Sequence, residues 1–486
     1  MSTHATKTRA PMTSAQRWVL VLVSIASLMV VLDMLVVTTA LNTIRLDLGA
    51  SIEELEWTIN AFTVTFAVLL MPASALGDRL GRRRVLLAGL VLFTLASIAC
   101  ALAPGAGWLI AARAAQGVGS AMIMPHAMAL LSVAFPPAQR AKALGLFASL
   151  TGLGTLGGPL VGGAITQGLD WQWIFWLNVP IGVVLIPLAR RRIEESTGAA
   201  RRLDFGGLVL VTAGALGLVW GLVRGNVVGW SSLEAAGTLV AGAVLLVAFV
   251  LWELRTAEPM LPMRFFRSTA FSAGNAAGFL LYGAMYGTAF FLAQFLQVAL
   301  HYGPFGAGLR LAPWTAAVFV VSMIGGSLVN RLGERVLVVG GLVLQAAGFA
   351  WIALIAAPDL GYPSMIAPLV VAGCGAALAI PAAQHAVIGS VPPPSVGAAV
   401  GSFNSLRQLG GTFGIAILAA VFAASGSYGS PQTFTDGFTP AMAVAACLTL
   451  VAAVAGLWTP GLRPRPTPLP SPREPESQPE SQKVNP

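Results

Sequence analysis

Charge is scarce in this chain. Lys, Arg, Asp and Glu make up 10% of its 486 residues, against about 25% in a soluble globular domain. Cysteine is nearly missing as well. Cys100, Cys374 and Cys447 fall in three different apolar runs, which excludes a disulfide framework. Histidine, cysteine and acidic residues do not cluster within those runs as a metal site requires, and no metal is expected. There is no GxxxxGK[ST] phosphate loop, which speaks against nucleotide hydrolysis.

What remains is 56% hydrophobic with a mean hydropathy of +0.79. Fourteen apolar runs follow one another between about 18 and 458, each near the 20 residues that cross a bilayer core of roughly 30 Å. The chain therefore reads as an all-α polytopic membrane protein with 14 transmembrane helices. The first run, 18–40, exceeds a signal-peptide core, carries Asp33 and lacks a small-residue cleavage site, so it is expected to be a retained span.

A formal charge of +9 invites a nucleic-acid partner, but the positions of the basic residues exclude one. With the amino terminus inside, 23 of 28 Lys and Arg fall in cytoplasmic segments, Arg45 and Arg224 fall outside, and Arg113, Arg310 and Arg407 lie in spans. This is the positive-inside pattern, and an even span number puts both termini in the cytoplasm. The preference for Arg over Lys, with abundant Ala and Gly, suggests a bacterial source and hence the inner (cytoplasmic) membrane.

Two internal echoes set the architecture. ASALGDRLGRRRVLLAG (73–89) returns as GGSLVNRLGERVLVVGG (325–341), and ALGLFASLTGLGTLGG (143–158) returns as AVGSFNSLRQLGGTFG (399–414). Both pairs lie eight spans apart in the same orientation, as parallel repeats do. The expected layout is an amino-terminal tail (1–17), a six-helix bundle (18–189), a linker with two extra peripheral spans (190–268), a second six-helix bundle (269–458) and a disordered proline-rich tail (459–486).

Ionisable groups inside spans are functional candidates by default. Asp33 in span 1 and Arg113 in span 4 both fall in the outer half and can pair; a carboxylate balanced between a cation and a dry pocket can exchange a proton. A static packing pair is the alternative. His126, near the inner end of span 4, is expected to serve packing. GDRLGRRR (77–84) supplies a tight turn with Gly77, Asp78, Arg79, Gly81, Arg82 and Arg83, read as a latch that breaks when the inner gate opens, with ordinary topogenic charge as the alternative; Asp78 either caps span 3 or pairs with an arginine. In span 5, Gly145, Gly154, Gly158, Gly162 and Gly163 permit close helix approach, and Pro159 weakens the helix.

These residues resemble the major facilitator superfamily in its fourteen-span drug:proton antiporter branch, over about 18–458. SALGDRLGRRR resembles the loop motif between spans 2 and 3, with Ser74 where glycine is usual. LIAARAAQGVGSA (109–121) is similar to the span-4 motif whose arginine, Arg113, is linked to proton transfer. The span-5 glycines and Pro159 fall on the antiporter motif. LDMLVVTTALNTI (32–44) keeps Asp33, Ala40 and Leu41 of the span-1 motif but has Leu35, Thr38 and Asn42 in place of Thr, Asn and Pro. WQWIFWLNVPIG (171–182) and NSLRQLGGTFG (404–414) also look like this branch.

The resemblance implies the major-facilitator fold and export of amphipathic drugs or antibiotics, cationic or aromatic, in exchange for protons. The proton gradient replaces any cofactor, and one chain in the lipid bilayer suffices. Export of one endogenous metabolite, lipid or siderophore stays open, as does import or symport, although the span-5 motif argues against import. Asn60, Gln116, Gln294, Gln297, His385 and Arg407 are expected near the substrate cavity, with helix-to-helix hydrogen bonding as the alternative for each.

Overall fold

The computed structural model describes residues 12–198, 204–392 and 395–461. Most of the two tails, including the proline-rich stretch from 462 on, lies outside the described residues. All regular structure among the described residues is helical: α1 (Ser14–Leu48), α2 (Ile52–Leu80), α3 (Arg82–Ala101), α4 (Ala106–Ala134), α5 (Pro137–Gly168), α6 (Trp173–Trp176) and α7 (Asn178–Arg192). A hairpin of α8 (Phe205–Val228) and α9 (Leu233–Arg255) follows. Then come α10 (Thr269–Val298), α11 (Pro304–Leu332), α12 (Glu334–Ile355), α13 (Pro363–Ile388), α14 (Val396–Ser425) and α15 (Pro431–Gly456). With α6 and α7 as one span, 14 described segments are long and apolar enough to cross a membrane.

Local chemistry sets the ends. Thr13 with Gln16, and Ser51 with Glu54, form capping boxes on α1 and α2, each satisfying two otherwise orphaned backbone donors. α1 runs on to Leu48, past the apolar run at 18–40, until Gly49 adopts the left-handed conformation that glycine adopts without steric cost. The sixth span breaks at Leu177. Pro180 has no N–H to offer the carbonyl of Trp176, so the hydrogen-bond ladder is interrupted there.

Helices α1–α7 and α10–α15 form two bundles with matching internal contacts. α1 packs on α5 as α10 packs on α14, and α3 packs on α4 as α12 packs on α13. Between the bundles, α5 meets α11 and α2 meets α14. The α8–α9 hairpin stands outside them. Val211, Ala215, Val219 and Val223 of α8 pack on Val64 and Val68 of α2 and Ala416 of α14, and Arg224 pairs with Glu53 of α2 at 3.2 Å. The outer surface of the hairpin exposes Val209, Trp220, Val240, Val244, Val247 and Leu251, an apolar area suited to lipid.

Small residues allow the tight contacts. A Cβ at Gly158 would lie 2.6 Å from the Cβ of Leu35, and one at Gly162 would lie 2.5 Å from the Val36 carbonyl oxygen. Gly154 faces Leu28 and Val31 of the same helix α1. Gly163 instead meets Pro304 and Phe305 of α11, so the span-5 glycines serve two partners. Gly145 departs from the expectation: it is exposed, and a Cβ there would meet nothing within 4 Å. Its neighbour Leu144 lines an open cavity, which leaves no helix for Gly145 to approach.

In the second bundle Gly414 packs directly on the Gly283 carbonyl. Backbone cannot step aside as a side chain can, so Gly414→Ala is expected to destabilise by about 1–3 kcal/mol, the usual cost of overpacking. The measurement is a thermal melt in detergent. Gly340→Ala, where a Cβ meets nothing within 4 Å, is expected to leave the midpoint unchanged.

Candidate functional site

The bundles enclose a cavity of about 1300 Å³ that opens on the face carrying both described chain ends, here the termini face. Phe66, Leu70, Met71, Met124 and Met128 line it from the first bundle, and Gln384, Asn404 and Arg407 from the second. Methionine is unbranched and polarizable and adapts to irregular apolar partners. Arg407, eleven residues into α14, lies 5.1 Å from the Tyr282 ring centroid, and its Nε has no hydrogen-bond partner.

The opposite face is closed. Gln297 Nε2 donates to the Thr39 carbonyl at 3.0 Å, and the Phe305 N–H donates to Gln167 Oε1 at 3.1 Å, each across the two bundles. The Tyr428 hydroxyl, in the connection between α14 and α15, donates to Gln294 Oε1. The Arg45 guanidinium lies 4.8 Å from the Tyr428 ring centroid.

Asp33 of α1 and Arg113 of α4 meet between these two ends. Arg113 Nη1 lies 2.5 Å from Asp33 Oδ2, and both side chains are 1% exposed. Six more residues complete the cluster. Asn178 Nδ2 donates to Asp33 Oδ1 at 2.7 Å, and Gln116 Nε2 donates to the same oxygen at 3.2 Å and to Ser97 Oγ at 2.8 Å. Gln116 Oε1 accepts from Arg113 Nη1 at 2.8 Å and from the Cys100 thiol at 3.2 Å. Arg113 Nε donates to the Thr58 carbonyl at 3.2 Å, and the guanidinium sits 4.4 Å from the Phe62 ring centroid.

An ion pair taken out of water stands only if its remaining donors and acceptors are satisfied, and here α1, α2, α3, α4 and α7 each contribute a partner. Arg113 therefore keeps Gln116 and the Thr58 carbonyl as acceptors beside Asp33.

Of the six residues expected near the cavity, Arg407 lines it. Gln116 is instead fully buried in the Asp33 cluster. Gln294 and Gln297 hold the closed end, and His385 turns to Glu334, with Nδ1 3.0 Å from Oε1. Asn60 is buried with neither amide atom hydrogen-bonded. Hydropathy locates a polar residue along a helix but not on which side it faces, and that side decides these five placements.

The 77–84 turn also differs from its reading as a gate latch. Asp78 pairs with Arg82 at 2.8 Å; the cap on α3 is Glu195, whose Oε1 accepts the Arg83 N–H at 2.9 Å. Arg83 Nη1 reaches the Ile193 carbonyl at 3.0 Å. Gly81 has φ +111°, and a Cβ there would lie 2.7 Å from the Glu195 carboxyl carbon. Arg79 is exposed. These contacts stay within the first bundle and are intact while the termini face is open, so they brace the turn. Gly77 leaves room for the buried His126 ring.

Sequence reasoning missed Glu195, Asn178 and Ser97 as site groups, and it missed Glu56 among the ionisable residues of the spans. Glu195 sits beside Glu194 in the basic stretch ARRRIEES, where carboxylates read as solvated charge. The signal available for Asn178 was its place two residues before Pro180, at a helix break.

A family model described as Major Facilitator Superfamily matches residues 23–272 and 275–484. The chain belongs to the Major Facilitator Superfamily. It is thus a transporter of small molecules set in a membrane. Within the superfamily it is 34% identical to the multidrug resistance protein Stp of Mycobacterium tuberculosis over 85% of this chain and 77% of that protein. It is 36% identical to the cephamycin export protein CmcT of Amycolatopsis lactamdurans over 93% of this chain and 94% of that one. Among solved superfamily-like folds, a bacterial homologue of the human lysosomal transporter Spinster, in an inward-facing conformation, matches with TM-score 0.66 at 16% identity, covering 92% and 97% of the two chains.

Glu195→Ala removes the α3 cap and the partner of the Arg83 backbone. Loss of about 1 kcal/mol is expected, typical of a lost helix cap, seen as a lowered melting midpoint in detergent; Arg79→Ala, on an exposed side chain, is expected to leave it in place.

Proposed function

We propose that this transporter is a proton-coupled antiporter of the cytoplasmic membrane, exporting amphipathic drugs or antibiotics by alternating access with both termini in the cytoplasm. The observation that carries the reading is the buried Asp33–Arg113 pair, placed between an open and a closed end of the same molecule. The positive-inside distribution supports orienting the open face toward the cytoplasm, where an amphipathic drug would enter. Relatives named for multidrug resistance and cephamycin export support the outward direction. One chain encloses the whole cavity, which supports a monomer, and the proton gradient stands in for any cofactor.

In the proposed cycle, Asp33 takes a proton when the outer face opens and gives it up when water reaches the cluster from the cytoplasmic side. Burying a charge without its partner is costly, so a change of protonation at Asp33 favours one packing of α1, α4 and α7 over the other. Proton and substrate are then linked through the same conformational equilibrium.

Asp33→Asn keeps shape and most hydrogen bonds but cannot ionise. Protonophore-sensitive efflux of ethidium is expected to fall to the protonophore-treated baseline with membrane expression unchanged. Efflux in the mutant that still collapses with protonophore would refute the role of Asp33.

A second reading of cargo rests on Arg407. The cationic or aromatic cargo expected from the sequence places its charge near Asp33, yet Asp33 is enclosed while Arg407 lines the cavity. Carboxylate-bearing amphipaths then fit this wall as well as cationic ones do. A charge-assisted hydrogen bond is worth about 2 kcal/mol, roughly thirtyfold in binding. Arg407→Ala is expected to weaken binding of a carboxylate substrate by up to that factor and leave its methyl ester unaffected, measured by competition in proteoliposomes.

A further inference from the structure

Glu56 is a carboxylate buried at the closed face, and its surroundings differ from those of Asp33. Its side chain, in the second turn of α2, is 4% exposed, and Oε2 is buried with no hydrogen-bond partner. No described residue makes an ion pair with it. A carboxylate in that condition loses its hydration and gains nothing in return; as a neutral acid it costs far less.

The charged groups around it are otherwise engaged. Glu53, one turn earlier on α2, is paired with Arg224 of α8, which also binds Glu234. Arg45 of α1 lies over the Tyr428 ring. Arg113 of α4 is committed to Asp33 and to the Thr58 carbonyl, two residues on from Glu56. Tyr428 lies within electrostatic reach of Glu56, and burial pushes its hydroxyl to higher pKa. Tyr428 is also the residue that joins Gln294 in the closed end.

We propose that Glu56 is a proton-binding site at the outer gate, separate from Asp33: it takes a proton from the external solution, and closure of that face requires the neutral acid. The inference rests on the antiport reading for which side is external. When the face opens, water can stabilise the carboxylate, and the proton leaves to the same solution. The proton at Glu56 is therefore not carried across. It sets how readily the empty or loaded transporter closes, so external acid favours closure and external alkali favours the outward-open form. By linkage, the closed-to-open ratio changes by up to about tenfold per pH unit through this one group.

The test uses the full chain in lipid nanodiscs, with Cys374 and Cys447 replaced by alanine, the buried Cys100 retained, and spin labels at Leu46→Cys and Asp359→Cys, both exposed in the two bundles. Distances across the face are measured against pH, alongside the infrared C=O band of neutral carboxylic acids. The parent is expected to show a longer distance as pH rises and a neutral-acid band at neutral pH. Glu56→Gln is expected to stay at the short distance throughout and to lose one band component, whereas Asp33→Asn keeps both the component and a pH response.

A Glu56→Gln protein whose distance follows pH as the parent does, or whose band is unchanged, overturns the proposal. Should that variant fail to fold, Glu56→Asp retains the acid with shorter reach, and a midpoint that does not move overturns it equally. Neither readout requires transport. Loss of coupling in Asp33→Asn, or its absence, therefore tests the antiport reading independently.

Discussion

The ion pair between Asp33 and Arg113 constrains the packing of the whole first bundle. Two charges in a dry interior hold only while every remaining donor and acceptor finds a partner, and those partners come from α1, α2, α3, α4 and α7. The break in the sixth span follows from the same requirement. Pro180 interrupts the ladder, α7 begins at Asn178, and the Asn178 amide reaches Asp33. Loss of one charge in such a site leaves the other buried without its counter-ion, which is costly. That coupling between protonation and packing is what a proton-driven conformational change needs.

The repeat supplies the hinges on which such a change can turn. Gly81 and Gly333 occupy equivalent turns with φ of +111° and +82°, and each turn is tied to the segment that ends its own bundle. Arg82 N–H reaches the Ser196 carbonyl, and Arg335 N–H reaches the Pro460 carbonyl, both at 2.9 Å. Within each bundle, glycines set backbone against backbone or against a Cβ, as at Gly158 and Leu35 or Gly414 and Gly283. Between the bundles at the closed face, Gly163 meets Pro304 and Gly308 meets Pro159. Small residues and proline interlock little there, so one bundle can rock on the other while each keeps its interior.

Much of this was legible in the sequence for simple reasons. A membrane span must hide its backbone and match the bilayer, so apolar runs mark the helices, and an aspartate among leucines and valines marks itself. Equal depth on spans 1 and 4 was enough to suggest the Asp33–Arg113 pair. Facing was not legible. Gln294 and Gln297 sit three residues apart on one helix, and nothing local says that they close an end of the molecule. Glu195 was hidden among arginines. Glu56 was hidden in IEELEW, which reads as an acidic helix start favoured by the macrodipole; its burial comes from helices far away in the chain.

The two carboxylates illustrate how one residue type can serve two purposes in one fold. Asp33 is held between Arg113, Asn178 and Gln116, so its charge is supported by a cation and two amide donors. Glu56 has no such support, so its charge is tolerable only when water enters. In the proposed cycle the first group answers to which side of the protein is wet and to whether Arg113 stays in place, and the second answers to a single face. A transporter that must close one end before it opens the other gains from having those two conditions set by different groups, because a proton at the gate can then govern closure without being spent on the crossing.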